Sequence, residues 1–177
     1  MRIVSGKFKG KRIIAPKKLP VRPTTDFAKE ALFNILNNRY DFGELRVLDL
    51  FAGTGNISYE FASRGTKEIL CVDAHYACVK FIQQTAMSLE IPITTVKSDV
   101  FKYLRIQQDA YDIIFADPPY DFSSDQLEEL VSLSFGNNLV REEGCLIIEH
   151  TKHLDLSEIS HFQESRKYGG SVFSFFT

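Results

Sequence analysis

Two short stretches of this sequence hold residues whose types and spacing could do chemistry together. The first is Asp117-Pro118-Pro119-Tyr120. Two prolines in succession fix the backbone and remove two N–H donors, leaving their carbonyls and the Asp117 carboxylate as acceptors. An acceptor-only site suits a substrate that presents N–H groups, and the Tyr120 ring offers a flat face to a planar base. The plainer alternative is a rigid turn with a helix-capping aspartate. The second stretch is the glycine turn Phe51-Ala-Gly-Thr-Gly55, with Asp73 further along the chain. Glycines let backbone N–H groups approach a ligand closely, and an acid about twenty residues after such a turn is placed to reach a ribose hydroxyl pair.

The elements around these stretches are those needed to hold them. Val47, Leu48, Leu50 and Phe51 form an apolar run that reads as a strand buried on both faces, and Ile57 to Arg64 reads as a helix. Ile69 to Asp73 makes a second strand, Ile93 to Lys97 a third, Tyr111 to Ala116 a fourth and Gly144 to Ile148 a fifth. Between them the spacing predicts helices over Tyr76–Leu89, over residues 100–106, and around Leu127, Leu130, Val131 and Ser134. Inward positions of the first of these are Cys78, Phe81, Ile82, Thr85 and Leu89. Two further strands, His161 to Tyr168 and Val172 to Phe176, are joined at Gly169-Gly170 as a hairpin. The alternation of strand and helix implies an α/β fold with a mostly parallel sheet.

Upstream, Thr24-Thr25-Asp26 offers N-caps for a helix to about Asn38, with Phe27, Ala31, Leu32, Ile35 and Leu36 inward and Lys29 and Glu30 off that stripe. Pro16, Pro20 and Pro23 mark an extended connector before it. Arg2-Ile-Val4 and Arg12-Ile-Ile14 flank Ser5–Gly10 as a β-ribbon with Phe8 among lysines. Phe8 either contacts RNA or packs on the body.

Composition narrows the class. The 177 residues suit one domain with a sizeable core and a small appendage, here residues 1–22 as basic ribbon and connector before a domain over 23–177. Net charge is −2, yet residues 1–25 carry eight of the 21 basic residues and no acid, so the rest is strongly acidic. A basic arm on an acidic body points to a polyanion, with nucleic acid foremost; a solvated terminal arm is the alternative. The candidate RNA contacts are Arg2, Lys7, Phe8, Lys9, Lys11, Arg12 and Arg22. No apolar stretch is long enough to span a membrane, and Met1 to Lys11 lacks the apolar run of a signal peptide. Cys71, Cys78 and Cys145 show no metal-ligand spacing and read as reduced core thiols of a cytoplasmic protein. His150 and His153 lack a third ligand and read as surface histidines, so no metal is expected.

The glycine turn with Asp117-Pro118-Pro119-Tyr120 resembles the S-adenosylmethionine-dependent methyltransferases that modify exocyclic amino groups. Arg2-Ile-Val-Ser-Gly6, Arg22-Pro-Thr-Thr-Asp26, Glu30-Ala-Leu-Phe33 and the Tyr168-Gly169-Gly170 hairpin extend the similarity over essentially the whole chain. Together they resemble the bacterial 16S ribosomal RNA guanine-N2 methyltransferases. The resemblance implies a Rossmann-like class I methyltransferase with a seven-stranded, mostly parallel sheet in the order 3-2-1-4-5-7-6, plus the N-terminal β-ribbon extension. It implies S-adenosyl-L-methionine as cofactor, with Asp49, Phe51, Gly53, Gly55, Asp73, Ala74, Ser98, Asp99, Val100 and Asp117 at its site. Within that set Asp73 meets the ribose and Ser98-Asp99-Val100 the adenine edge. Arg22 to Asp26 and Glu30 lie near the methionine end or the incoming base. The catalytic set is Asp117, Pro118 and Tyr120. The implied substrate is a specific guanine of 16S rRNA, naked or in the assembling small subunit, with the enzyme monomeric and independent of membranes.

Three rivals share parts of this pattern. A DNA adenine-N6 methyltransferase has both motifs, but such enzymes carry a target-recognition region for which 177 residues leave no room. An RNA-binding module without catalysis has no need of both motifs intact. A nicotinamide enzyme fits the first turn alone, but Ser58 stands where a third glycine would lie.

Overall fold

The computed structural model describes residues 1–16, 19 and 24–177. Lys17, Lys18, Pro20, Arg22 and Pro23 lie outside the described residues, and with them part of the expected connector and one candidate RNA contact.

The apolar run before the glycine turn becomes the central strand, β1 (Arg46–Leu50). Its neighbours are β2 (Glu68–Asp73) and β4 (Tyr111–Ala116), both parallel to it, with Leu48 beside Leu70 on one side and beside Ile114 on the other. Parallel neighbours need crossovers, and helices supply them: α2 (Asn56–Ser63), α3 (Tyr76–Leu89), α4 (Val100–Ile106) and α5 (Ser124–Gly136). With β3 (Ile93–Lys97), β5 (Val140–Thr151), β6 (Phe162–Tyr168) and β7 (Ser171–Phe176), the seven strands run in the order β3-β2-β1-β4-β5-β7-β6. Strand β7 runs antiparallel to both its neighbours. This is the order and polarity that the resemblance implied.

Alternate residues of the strands serve two cores. Val47, Ile113, Phe115 and Ile147 pack beneath α1 (Asp26–Asn37), α2 and α3, while Leu48, Leu50, Ile114 and Leu146 pack beneath α4 and α5. The three cysteines are buried and unpaired, as expected of core thiols.

The inward face of α1 departs from the expected stripe. Thr25 caps the helix by accepting from the Ala28 N–H, and the buried residues are Ala28, Lys29, Leu32, Phe33 and Leu36. Phe27 is 66% exposed and meets the edge of Tyr168. The stripe is therefore rotated by about one residue, because Lys29 has a buried carboxylate to face and Phe33 stacks on Phe42 and meets the edge of Phe61. In α3 the buried set is Cys78, Val79, Ile82, Ala86 and Leu89, and the expected Phe81 and Thr85 are only half-buried.

All eight residues of α2 are buried, including Asn56, Ser58, Glu60 and Ser63. One side of this helix faces the sheet, and the ribbon covers the other. The ribbon is antiparallel, with an Arg2–Arg12 bridge and N–H bonds from Ile3 to Lys11 O and from Ile13 to Met1 O. Its turn is pinned to α2: Lys7 N–H donates to Ser63 O at 2.7 Å, Phe8 N–H donates to Ser63 Oγ at 3.0 Å, and Ser63 Oγ donates to Ser5 O at 2.5 Å. Gly6 is the contact point. A Cβ there would lie 1.9 Å from Ser63 O, and its φ of +79° favours glycine independently. Phe8 is half-buried and packs against a cluster of Ile3, Ile13, Tyr59 and Leu89.

Candidate active site

The carboxyl ends of β1 and β4, neighbours at the point where strand order reverses, open onto a cavity of about 610 Å³. The chain leaves β1 through Phe51 and Gly53, at φ of 57° and 54°, and reaches α2 through Gly55 at 76°. Phe51 adopts a conformation that side chains disfavour, a kind of strain that concentrates at ligand sites. Its ring lines the cavity and meets the edge of Phe122 at 5.4 Å; Phe122 in turn stacks on Phe101.

Both oxygens of Asp73 hold backbone, accepting from Gly53 N–H at 2.8 Å and His75 N–H at 2.7 Å. Thus Asp73 ties the glycine turn to the end of β2 and also faces the cavity. Each carboxylate oxygen has a second lone pair for a ligand hydroxyl. Asp99 caps α4 by accepting from Lys102 N–H at 2.9 Å, and with Val100 it lines the far wall.

Of the residues expected at this site, Asp49, Phe51, Gly53, Asp73, Ala74, Asp99, Val100, Asp117, Pro118 and Tyr120 all line the one cavity. Gly55 and Ser98 do not line it. A Cβ on Gly55 would press on Tyr59 and Ile82 at 3.0–3.1 Å, so this glycine serves the turn and its packing. The Ser98 hydroxyl donates to Asp99 O. Glu30 is exposed on α1 and does not line the cavity; its neighbour Lys29 points inward instead. His150, read as a surface residue, is buried in β5, with its ring nitrogens on Thr151 O and Ser174 Oγ, while His153 is exposed. Among the described residues no group of three or more acidic, histidine or cysteine side chains could hold a metal.

The electrostatics are one-sided. Asp49, Asp73, Asp99 and Asp117 line the cavity, and no lysine or arginine does among the described residues. Burial pushes the Asp49 carboxyl up to about 7, with nearby Asp73 adding to the rise and the Ser58 hydroxyl, donating at 2.5 Å, opposing it. Asp117 is raised well above the ordinary carboxylate range, first by burial and then by the charges of Glu149 and Asp49. Glu149 is itself raised by burial, although it accepts from Thr24 Oγ1 at 2.6 Å and Ser171 Oγ at 2.7 Å. Asp49, Asp117 and Glu149 thus hold protons more tightly than free carboxyls, and a ligand that brings positive charge favours their ionised forms.

Sequence reasoning missed Asn56, Phe122, His75 and Glu149. Phe122 carried a signal, an aromatic two residues after Tyr120. Glu149 had none, because an acid at the end of a buried strand resembles any strand terminus until β7 supplies Ser171 and the residue before the α1 cap supplies Thr24.

A family model described as "Conserved hypothetical protein 95" matches residues 1–177. The chain belongs to this family. The Bacillus subtilis (strain 168) protein called "Putative rRNA methyltransferase YlbH" is 31% identical over 163 residues, spanning 89% of this chain and 86% of that protein. "Ribosomal RNA small subunit methyltransferase D" of Buchnera aphidicola subsp. Baizongia pistaciae (strain Bp) is 29% identical over 156 residues, spanning 88% and 78%. Among solved structures, the Thermus thermophilus hypothetical protein TTHA0928 superposes with a TM-score of 0.85 at 27% identity, covering 99% of this chain and 98% of that one. The T. thermophilus 16S rRNA N2 G1207 methyltransferase RsmC, solved with AdoMet and guanosine, gives 0.71 at 22% identity, with 89% and 44% covered. The fold of this Conserved hypothetical protein 95 member is that of class I S-adenosylmethionine-dependent methyltransferases.

Proposed function

We propose that this protein is an S-adenosylmethionine-dependent rRNA methyltransferase that methylates the exocyclic N2 amine of a guanine in 16S rRNA. The observation that carries this reading is the placement of Asp117-Pro118-Pro119-Tyr120 on the same cavity as the glycine turn and Asp73. The relatives named above as rRNA methyltransferases support the substrate class.

The donor set fits the cofactor. S-adenosylmethionine carries a sulfonium and an ammonium, and the cavity offers carboxylates without a competing lysine or arginine among its described lining. Asp73 is placed for the ribose, Asp99 and Val100 for the adenine edge, and Asp49 for the cationic end. When bound, the cofactor supplies an electrophilic methyl group.

Everything else falls to this chain. A guanine N2 amine is a weak nucleophile, since its lone pair is delocalised into the ring. Asp117 and the Pro118 carbonyl accept its two hydrogens and draw them out of plane, which localises the pair toward the cavity. Tyr120, 54% exposed at the rim, stacks on the base and sets its angle. As the nitrogen gains a methyl group it becomes cationic and must lose a proton. Asp117, with its raised proton affinity, is placed to take it. A paired guanine must first leave its stack to reach this depth. Arg2, Lys7, Lys9, Lys11 and Arg12 are all exposed on the ribbon and supply phosphate affinity, although Arg2 also pairs with Asp26 at 3.1 Å. Such a substrate places the protein in the cytoplasm.

The test is to incubate the protein with labelled S-adenosylmethionine and unmodified small-subunit rRNA, free and in particles, and then identify the nucleoside by mass. N2-methylguanosine is the expected product. Label on adenine N6 would transfer the chemistry to the other amino-group class, and RNA binding without label would leave only a binding module.

A further inference from the structure

One ammonium stands between the ribbon and the cavity. Lys29 Nζ has no exposure to solvent; it donates to Arg2 O at 2.7 Å and to Asn56 Oδ1 at 2.8 Å, and lies 3.5 Å from Glu60 Oε2. Glu60 accepts from the ribbon in turn, from Val4 N–H at 2.9 Å and Ser5 N–H at 3.0 Å. Asn56 lines the cavity and donates through Nδ2 to Thr24 O at 3.0 Å. Thr24 also lines the cavity, and its hydroxyl reaches Glu149. A chain of polar contacts therefore runs from the ribbon backbone to the carboxylate that raises Asp117.

Stability alone does not account for Lys29. Burying an ammonium is costly even when it is paired, and an apolar side chain of similar length often packs as well or better. An ammonium does what an apolar chain cannot: it fixes the direction of an amide. With its oxygen held by Nζ, Asn56 must present its NH₂ to the Thr24 carbonyl. Without Nζ, the amide oxygen loses the donor that holds it in that orientation.

We propose that Lys29 is a positioning residue that couples RNA on the ribbon to the cofactor cavity, through Asn56 and Thr24. The inference rests on the methyltransferase reading, with the ribbon as the RNA contact. RNA that steadies the ribbon steadies Arg2 O and the Glu60 anchor, hence Lys29, hence the Asn56–Thr24 wall. By reciprocity, a filled cavity favours the ribbon geometry that binds RNA, and each ligand changes the affinity of the other by the same factor.

The experiment measures that factor on the full chain. Affinity for a fluorescent small-subunit rRNA transcript is titrated with and without saturating S-adenosylhomocysteine, and affinity for S-adenosylhomocysteine is measured with and without the transcript. In the unaltered protein both ratios should agree and reach at least about fivefold. In Lys29→Met both should fall to about one, at a melting temperature showing the chain folded. Lys29→Met takes one of two cations from buried Glu60, leaving it Arg64 at 3.0 Å, so Lys29→Met with Glu60→Gln is the companion. The double variant removes the buried carboxylate and should regain stability without regaining coupling, and in both variants KM for the cofactor should exceed that of the unaltered protein. Asn56→Ala, which leaves the ammonium on Arg2 O and Glu60, reads the same bridge from the cavity side and should uncouple the ligands too. Ser63→Ala removes a ribbon contact that does not pass through Lys29 or Asn56; it should weaken RNA binding and leave the coupling ratio between the two ligands in place. Coupling that returns with stability in the double variant, or survives Asn56→Ala, makes Lys29 a structural residue only and overturns the inference. Ratios of one in the unaltered protein overturn it too, while rRNA methylation would still stand. An unaltered protein that binds neither the transcript nor small-subunit particles overturns the methyltransferase reading instead.

Discussion

On the proposed reading Asp49 sets stability against ligand binding, and replacing it should expose the conflict. Its folded carboxyl, at about 7 against an ordinary 3.8, keeps a proton that the unfolded chain gives up. The sign follows: the unfolded state binds fewer protons between those values, so stability falls as pH rises from about 4 through about 7. At about 1.4 kcal/mol per tenfold change in proton affinity, the ionised side chain costs the ligand-free fold on the order of 4 kcal/mol above pH 7. Asp49→Asn removes that cost and keeps an oxygen able to accept from Ser58 Oγ. For a chain of 177 residues, 1 kcal/mol moves Tm by roughly 2–4 °C. The ligand-free variant should therefore melt at least about 5 °C above the parent at pH 8, with the gap closing toward pH 4. It should also bind S-adenosylmethionine at least about tenfold more weakly, a loss of about 1.4 kcal/mol, since one carboxylate facing the cation has gone. Scanning calorimetry across pH and titration calorimetry at pH 8 measure the two effects. A Tm unchanged at pH 8 would show that Asp49 ionises freely in the fold. Unchanged affinity would remove it from the cofactor site.

Asp117→Ala should cut turnover by orders of magnitude with cofactor affinity nearly intact, and Asp117→Asn should be milder because its amide oxygen still accepts one hydrogen bond; single-turnover methylation at saturating RNA and cofactor decides between acceptor and bystander. Asp73→Ala takes the acceptor from the Gly53 and His75 N–H groups, so cofactor affinity should drop at least about tenfold and Tm should fall with it; affinity unchanged by calorimetry would place the ribose elsewhere. Gly6→Ala drives a Cβ into Ser63 O and should lower Tm and impair rRNA methylation more than cofactor binding, which a melting curve and a filter assay would show. Lys9→Glu with Lys11→Glu should flatten the fall of RNA affinity with salt while leaving Tm within about 1 °C, and equal salt slopes would put the phosphates somewhere other than the ribbon.

What the sequence determined by itself was whatever short-range pattern controls. The run Val47 to Phe51 has the pattern of a buried strand, two glycines end it in a turn, and alternating strands and helices build an open parallel sheet. The strand order implied by the family resemblance, and found in the fold, makes β1 and β4 neighbours, which brings Asp117 to the glycine turn at their carboxyl ends. The basic ribbon was equally plain, since charge is counted from composition. The wall behind the site was decided by tertiary structure. Lys29 lies off the apolar stripe expected of α1, and nothing in the sequence singles out Glu60 within α2. Both are fully buried, because the ribbon folds back over them and lays its backbone N–H and C=O groups against their charges. Hydrophobic periodicity reports faces that pack on apolar neighbours; it is blind to a face covered by polar backbone, where a charge is the better partner. Glu149 is hidden from sequence for the same reason, as its neighbours Thr24 and Ser171 come from opposite ends of the chain and meet only when β7 pairs with β5 and α1 docks on the sheet.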